Sequence, residues 1–223
     1  MEEILISIIS TIVGGLLVYF VQKYLEHRKK INIRPSKAEK IINSDIFDYI
    51  QPDTSLKKVE QILGPPQKQF DCLNILDDND ETDRKGFIYN FENCFIKITT
   101  SNYETVETIT VSTKALSKNK LRFNYYELLE KDITLGKSKI DQSLINDGSG
   151  YCEVRTTKDI SFGLVNSYGN PLYITVIYFG LPEGNKDFII PERPDQLEGV
   201  VINTVCISSS HTVGFYIYTY EMM

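Results

Sequence analysis

Tryptophan is absent from this 223-residue chain, histidine occurs twice, and the four cysteines form no C-x-x-C pair. With only His27 and His211 to draw on, a Cys/His zinc site is disfavoured. There is no G-x-G-x-x-G fingerprint for a dinucleotide. Gly136-Lys137-Ser138 imitates the end of a phosphate-binding loop, but the glycine required five positions upstream is Lys131. No G-x-S-x-G elbow is present, so Ser208, Ser209 and Ser210 beside His211 read as a hairpin turn rather than a nucleophile with its base. The acidic run Asp77–Asp83 puts Thr82 and Ile88 where a calcium loop needs glycine and glutamate, and reads as a solvated connection. These absences give the expectation of no catalytic residues, no metal and no cofactor, hence a chain that is not an enzyme.

Charge is missing from one long stretch. Ile4 to Val21 carries none, and only Ser7, Ser10, Thr11, Gly14 and Gly15 interrupt its apolar run. As a helix it would span roughly 27 Å, close to a hydrocarbon core of about 30 Å. The expectation is a single transmembrane helix. A cleaved signal peptide fits less well, because the start is acidic and no small-residue cleavage site follows. A buried helix of a globular domain would rarely lack a polar face over this length.

The flanks give an orientation. Glu2 and Glu3 lie upstream, whereas Lys23, Arg28, Lys29, Lys30 and Arg34, with Lys37 and Lys40, form a basic collar downstream. Lys and Arg favour the cytoplasmic side, and the collar would also hold anionic headgroups. The N-terminus is thus expected outside and the body in the cytoplasm, at the inner (plasma) membrane of a bacterium. Small residues Ser7, Thr11 and Gly15 recur every four positions, with Ser10 and Gly14 beside them, a spacing that permits self-association of membrane helices.

Net charge is −6, and beyond residue 40 it is −9. An acidic body disfavours nucleic acid as a partner. Cys72, Cys94, Cys152 and Cys206 read as small, partly buried hydrophobes in a cytoplasmic domain. In the reversed orientation an even count would allow two disulfides, in three pairings.

Along the chain, Ser36-Lys-Ala-Glu39 forms a capping box. Ala38, Ile41, Ile42, Ile46, Phe47 and Ile50 follow near-helical spacing. A second helix opens at Asp53 or Thr54, buries Leu56, Val59, Ile62 and Leu63, and stops at Gly64 before Pro65-Pro66. Strands are expected at 86–91 and 94–100, around Glu92-Asn93. Val106–Thr113 alternates, which turns Ile109 and Val111 inward and makes it a half-buried strand.

The segment from Asp53 to Pro66, with its Leu63-Gly64-Pro65-Pro66 ending, followed by a hairpin and a third strand, resembles the ααβββ module of the outer-membrane-assembly lipoproteins BamE/SmpA over about residues 45–113. The layout of apolar span, basic collar and helix also resembles a group of uncharacterised bacterial single-span membrane proteins. The chain has no lipobox cysteine near its start, so the lipoprotein role is not implied.

The second half reads as a loose repeat. Leu135–Ser138 opens a helix burying Ile140, Leu144 and Ile145. Strands follow at 151–156, 160–167, 172–179, 200–208 and 212–220. Ser167–Leu172 echoes Asn90–Phe95, with an aromatic residue, a turn and a return strand. Residues 115–132 are ambiguous between helix and strand.

The expected fold is therefore α+β: an N-terminal transmembrane helix and collar (1–34), a first module (35–118) and a second, β-rich module (119–223). The expected function is a membrane-tethered, non-catalytic interaction or scaffold protein whose partners are the bilayer and another protein. The alternatives are a membrane-anchored small-ligand sensor, or an envelope-assembly factor if the orientation is reversed.

Overall fold

A computed structural model describes residues 40–72, 84–114, 118, 120–124, 132–155, 160–169, 174–181 and 191–209. The chain divides into two units, 1–37 and 38–223, and every described residue belongs to the second. The order is α1 (Ile46–Tyr49), α2 (Leu56–Leu63), β1 (Lys68–Cys72), β2 (Arg84–Asn90), β3 (Cys94–Thr100), β4 (Thr108–Thr113), β5 (Arg122–Phe123), β6 (Ile133–Thr134), β7 (Gly150–Arg155), β8 (Ile160–Tyr168), β9 (Ile174–Leu181), a 3-10 turn (Pro194–Leu197) and β10 (Val201–Ser208).

The α+β expectation of two helix-plus-sheet modules is corrected. The described chain is mostly β, and its eight long strands form one sheet in the order β1-β2-β3-β4-β10-β9-β8-β7. Each neighbour is antiparallel. Two four-stranded meanders meet through β4 and β10, so residues on both sides of position 118 share one sheet. Among the described residues no helix is long and apolar enough to cross a membrane, which also corrects the picture of a single-pass α+β protein. The span expected at Ile4–Val21 lies outside the described residues, as do Ser36–Glu39, Asp77–Asp83 and the strand expected at 212–220.

Period-two patterning gives the sheet two different faces. On the first, Ile98 pairs with Ile109 and Ile109 with Ile207, while Ile96, Val111, Val205 and Tyr178 form the adjoining row. Both helices, Leu121, Phe123, Ile133, Leu135, Ile140, Leu144 and Leu197 pack on this face. Phe47 of α1 meets Phe123 edge-on at 4.8 Å, and Phe123 meets Tyr178 of β9 at 6.0 Å. One aromatic chain thus ties α1 to the sheet.

The second face is built of hydroxyls. Thr99, Thr108, Ser208, Thr175 and Ser167 align across five strands, and Lys97, Thr110, Cys206, Ile177 and Val165 form the next row. Thr108 and Ser208 share a 2.9 Å hydrogen bond, and Thr204 donates to Ser112 at 2.8 Å. Such a face normally meets solvent, yet Lys97 is 2% exposed and Thr110 0%. β4 is therefore buried on both faces over Thr108–Val111, not half-buried as its alternation implied. At the margin, Phe70 lies over Gly86, where a Cβ would collide with its ring, and the Lys97 ammonium sits 5.2 Å from the same ring.

Of two expected helices one is replaced by turns and an isolated bridge and the other is shortened, in each case where hydrogen bonds to a distant segment take backbone groups. After β6, Gly136 takes a left-handed φ of 76°. Its N–H bonds Ile202, and the Ile140 N–H bonds Val200. Pairing with the β10 region thus captures backbone groups that a helix would have used. Ile140 and Leu144 are buried as expected, but without a helix. Upstream, the first helix shrinks to Ile46–Tyr49, because the Asn93 side chain accepts from the Ile42 N–H at 3.0 Å and donates to the Ile42 carbonyl at 2.8 Å. The second helix forms as read, with Ser55 rather than Asp53 or Thr54 as its N-cap and Gly64 at φ 82° closing it.

Two substitutions separate the faces by urea unfolding. Ile96→Ala, in the centre of the first face, is expected to cost about 2–5 kcal/mol. Thr99→Val, which removes a buried hydroxyl with no hydrogen-bond partner, is expected to be neutral or stabilising by up to about 1 kcal/mol. A large loss at position 99 would contradict the burial of the second face.

Candidate functional site

The site begins with Asn93. Its two bonds to Ile42, together with the Glu92 N–H on the Lys40 carbonyl at 3.0 Å, hold residues 40–42 extended against the β2–β3 turn. Ile42, Ile46, Phe47 and Ile50 then point inward and are buried. Ile41 and Tyr49 are left outward, 43% and 51% exposed. Apart from Tyr103 they are the large exposed hydrophobics among the described residues. Near-helical spacing placed Ile41 with the core; extended backbone across 40–42 turns it out.

Two concavities adjoin α1. A groove of about 300 Å³ is lined by Ile41, Ile46, Tyr49 and Ile62, with Lys40 and Asp45 at its polar margin. A cleft of about 330 Å³ is lined by Asp45, Asp48, Arg122, Asn124 and Asp132. The Arg122 N–H donates to the Ser44 carbonyl at 3.1 Å, which seats β5 beside α1, and its guanidinium pairs with Asp132 at 3.3 Å. The Lys40 ammonium reaches the Ile62 carbonyl at 3.4 Å.

Asp45 lines both concavities. It holds the N-cap position of α1, where a carboxylate ordinarily accepts from helix N–H groups. Here its side chain makes no such bond, and Oδ1 is buried with no hydrogen-bond partner. Chemically the surface offers apolar contact from Ile41, Tyr49 and Ile62, and acceptor capacity from Asp45 and Asp48. No group of three or more His, Cys, Asp or Glu among the described residues is placed to hold a metal ion.

Residues singled out by the sequence fall elsewhere. Ser7, Ser10, Thr11, Gly14 and Gly15, and the collar residues Lys23, Arg28, Lys29, Lys30 and Arg34, lie outside the described residues. Gly136-Lys137-Ser138 is a closed turn in which Ser138 Oγ accepts from the Thr134 N–H at 2.9 Å. Ser208 belongs to β10 rather than to a turn, and His211 is not described. Ile41, Tyr49, Arg122 and Asp132 carried no usable signal, since the pairing that assembles them is tertiary. Comparison with family models, with curated proteins and with solved structures gives no match for this chain.

Cys94, Cys152 and Cys206 are free thiols. Burial pushes each from an ordinary 9.0 up to about 12, so none is a thiolate at neutral pH. Iodoacetamide at pH 7.5 is expected to leave all three unlabelled in the folded chain and to modify them after denaturation, as read by peptide mass spectrometry. An impermeant thiol reagent at Cys152 or Cys206 would accordingly report folding rather than membrane topology.

These thiols also set an alkaline limit, together with Tyr89, which burial and then the Glu60 charge push from 10.0 to about 12. The folded chain holds these protons more tightly than the unfolded one. Their contribution to stability is fully present below about pH 9 and is lost as pH rises toward 12. Melting temperature is expected to be flat from pH 7 to 8.5 and to fall steadily above 9; a rise across that window would contradict the burial of these groups.

Proposed function

We propose that this chain is a non-catalytic interaction protein that offers the Ile41–Tyr49 surface to another protein. The observation that carries the reading is the outward placement of Ile41 and Tyr49 beside a groove, on a segment fixed by Asn93 and by the Phe47–Phe123–Tyr178 aromatic chain. Aromatic side chains on a fixed support are the usual anchors of interfaces, because little conformational freedom remains to be lost on binding. The body is proposed to act at the cytoplasmic face of the plasma membrane. Support for that location is the uncharged run 4–21 followed by seven Lys and Arg against two Glu in residues 23–40.

Small-ligand sensing is the second reading. It is favoured by the convergence of Asp45, Asp48, Arg122, Asn124 and Asp132 on one cleft. Binding there would depend on Arg122 and be indifferent to Ile41.

A photo-crosslinking side chain placed at position 49 tests the main reading, with exposed Lys137 as the control position. A discrete protein adduct is expected from position 49 alone, and it should vanish when Ile41→Asp is added. No adduct, or the same adducts from both positions, would overturn the proposal.

A further inference from the structure

We infer that one corner of the sheet is a contact surface for an anionic lipid bilayer. The inference rests on the membrane-face location proposed above and names the part of the body that meets the headgroups.

The corner lies where β2 and β4 end and β3 begins. The Lys114 N–H bonds the Asn93 carbonyl, which brings the residue after β4 onto the β2–β3 turn. The Lys114 ammonium donates to Asn90 Oδ1 at 2.6 Å and stands 4.4 Å from the centre of the Phe95 ring. Lys120 donates to the Lys114 carbonyl at 3.4 Å, and its ammonium lies 3.1 Å from where a Cβ on Gly136 would stand. Gly136 leads directly to exposed Lys137, and Lys118, between Lys114 and Lys120, is exposed as well. On the turn itself, the Glu92 N–H bonds the Lys40 carbonyl at 3.0 Å. Five lysines thus gather at one end of three adjacent strands.

Charge sets this corner apart. Residues 40, 90–95, 113–120 and 135–138 hold those five lysines against one carboxylate, Glu92. The chain beyond residue 40 carries −9. At the opposite end of the same strands the charges cancel. Arg84 pairs with Glu107 and Lys85 with Asp71, and Lys57 and Lys58 are matched in number by Asp53 and Glu104. An anionic surface therefore repels the body as a whole and attracts it at this corner.

The entry of the chain selects lipid over other polyanions. The described chain begins at Lys40, on this corner. Residues 23–40 leading to it carry seven Lys and Arg against two Glu and follow the uncharged run 4–21. Lys40 belongs to both sets, so headgroups drawn to the end of the collar are within reach of the corner lysines.

Amine footprinting of the full-length chain in lipid nanodiscs tests this. Discs of phosphatidylglycerol mixed equally with phosphatidylcholine are compared with discs of phosphatidylcholine alone, and acetylation of each lysine is read by peptide mass spectrometry. Lys118 and Lys137 are expected to react about fivefold more slowly on the anionic discs, the factor that corresponds to one lysine held at such a surface. Salt at about 0.5 M should remove the difference. Lys57 and Lys58, exposed at the start of α2, should react equally on both discs. Lys118→Glu should weaken the slowing at Lys137, with circular dichroism showing an unchanged fold. Equal reaction of Lys118 and Lys137 on the two discs overturns the inference, as does equal slowing at Lys57 and Lys58 or indifference of Lys137 to Lys118→Glu. Slowing by added RNA without slowing on the anionic discs would assign the corner to nucleic acid and overturn it too. A chain that co-elutes with neither disc would remove the location reading and this inference together. Co-elution without lipid-dependent slowing would remove this inference alone.

Discussion

The pairing of β4 with β10 is the contact on which the rest of the molecule depends. Each meander is made of strands consecutive in sequence, so loop closure within it is shorter than the closure that brings β4 to β10. Thr108–Ser112 on Thr204–Ser208 is the strand pairing that joins the two meanders. The join is reinforced on the polar face by the Thr108–Ser208 and Thr204–Ser112 hydroxyl bonds. At its end, the Ser209 N–H bonds the Glu107 carbonyl, while the Glu107 carboxylate takes the Arg84 Nε at 3.1 and 3.3 Å. Arg84 lies on β2 and Glu107 at the entry to β4, so this nearly buried pair reaches past β3. Such a pair gives little net stability when intact but is expensive to break. It acts as a lock on register more than as a source of energy.

Local features of this fold were legible in the sequence and the long-range ones were not. Gly64 before Pro65 marked the end of α2, Glu92-Asn93 marked the β2–β3 turn, and the strands at 94–100, 160–168 and 201–208 were visible as β-branched or apolar runs. The echo between Asn90–Phe95 and Ser167–Leu172 runs partly outside the described residues, while β2–β3 and β8–β9 are each the middle pair of their meander. The sequence contained no local sign that the two meanders would merge, because partners such as Ile109 and Ile207 meet only through the fold. Hydroxyls misled in a second way. Thr108 and Thr110 satisfy the pattern of a solvent face, and alternation reports polarity rather than exposure. The helix expected after Gly136 failed on a third ground, as hydrogen bonds to Val200 and Ile202 outweighed the local spacing of Ile140 and Leu144.

The candidate site was the least legible part, and the reason is geometric. Its side chains come from the extended entry to α1, from α1 itself, from the end of α2 and from β5–β6, with sequence separations of up to about ninety residues. Buried contacts fix each of these pieces, among them Asn93 on Ile42 and Phe123 between Phe47 and Tyr178. A segment without regular structure is thereby held on a rigid sheet, which is how connecting segments come to carry recognition. Ile41 shows the consequence: the backbone around Ile42, and not helical periodicity, decides which neighbour is buried.

Unsatisfied polar groups occur in two settings here, and they differ in cost. Thr99 Oγ1 lies in the middle of the second face, where the rigid sheet leaves its hydroxyl without an acceptor. A neutral hydroxyl can turn about its bond, and its burial accompanies the packing of that face, so the cost is modest and structural. Asp45 Oδ1 is a carboxylate oxygen, which costs more to strip of water. Asp45 lines both the groove and the cleft, yet Oδ1 itself is buried. Its own helix offers N–H groups that the side chain does not use. With no exposed surface, Oδ1 carries its missing partner as a cost inside the fold, as Thr99 does, but a larger one because it belongs to a carboxylate.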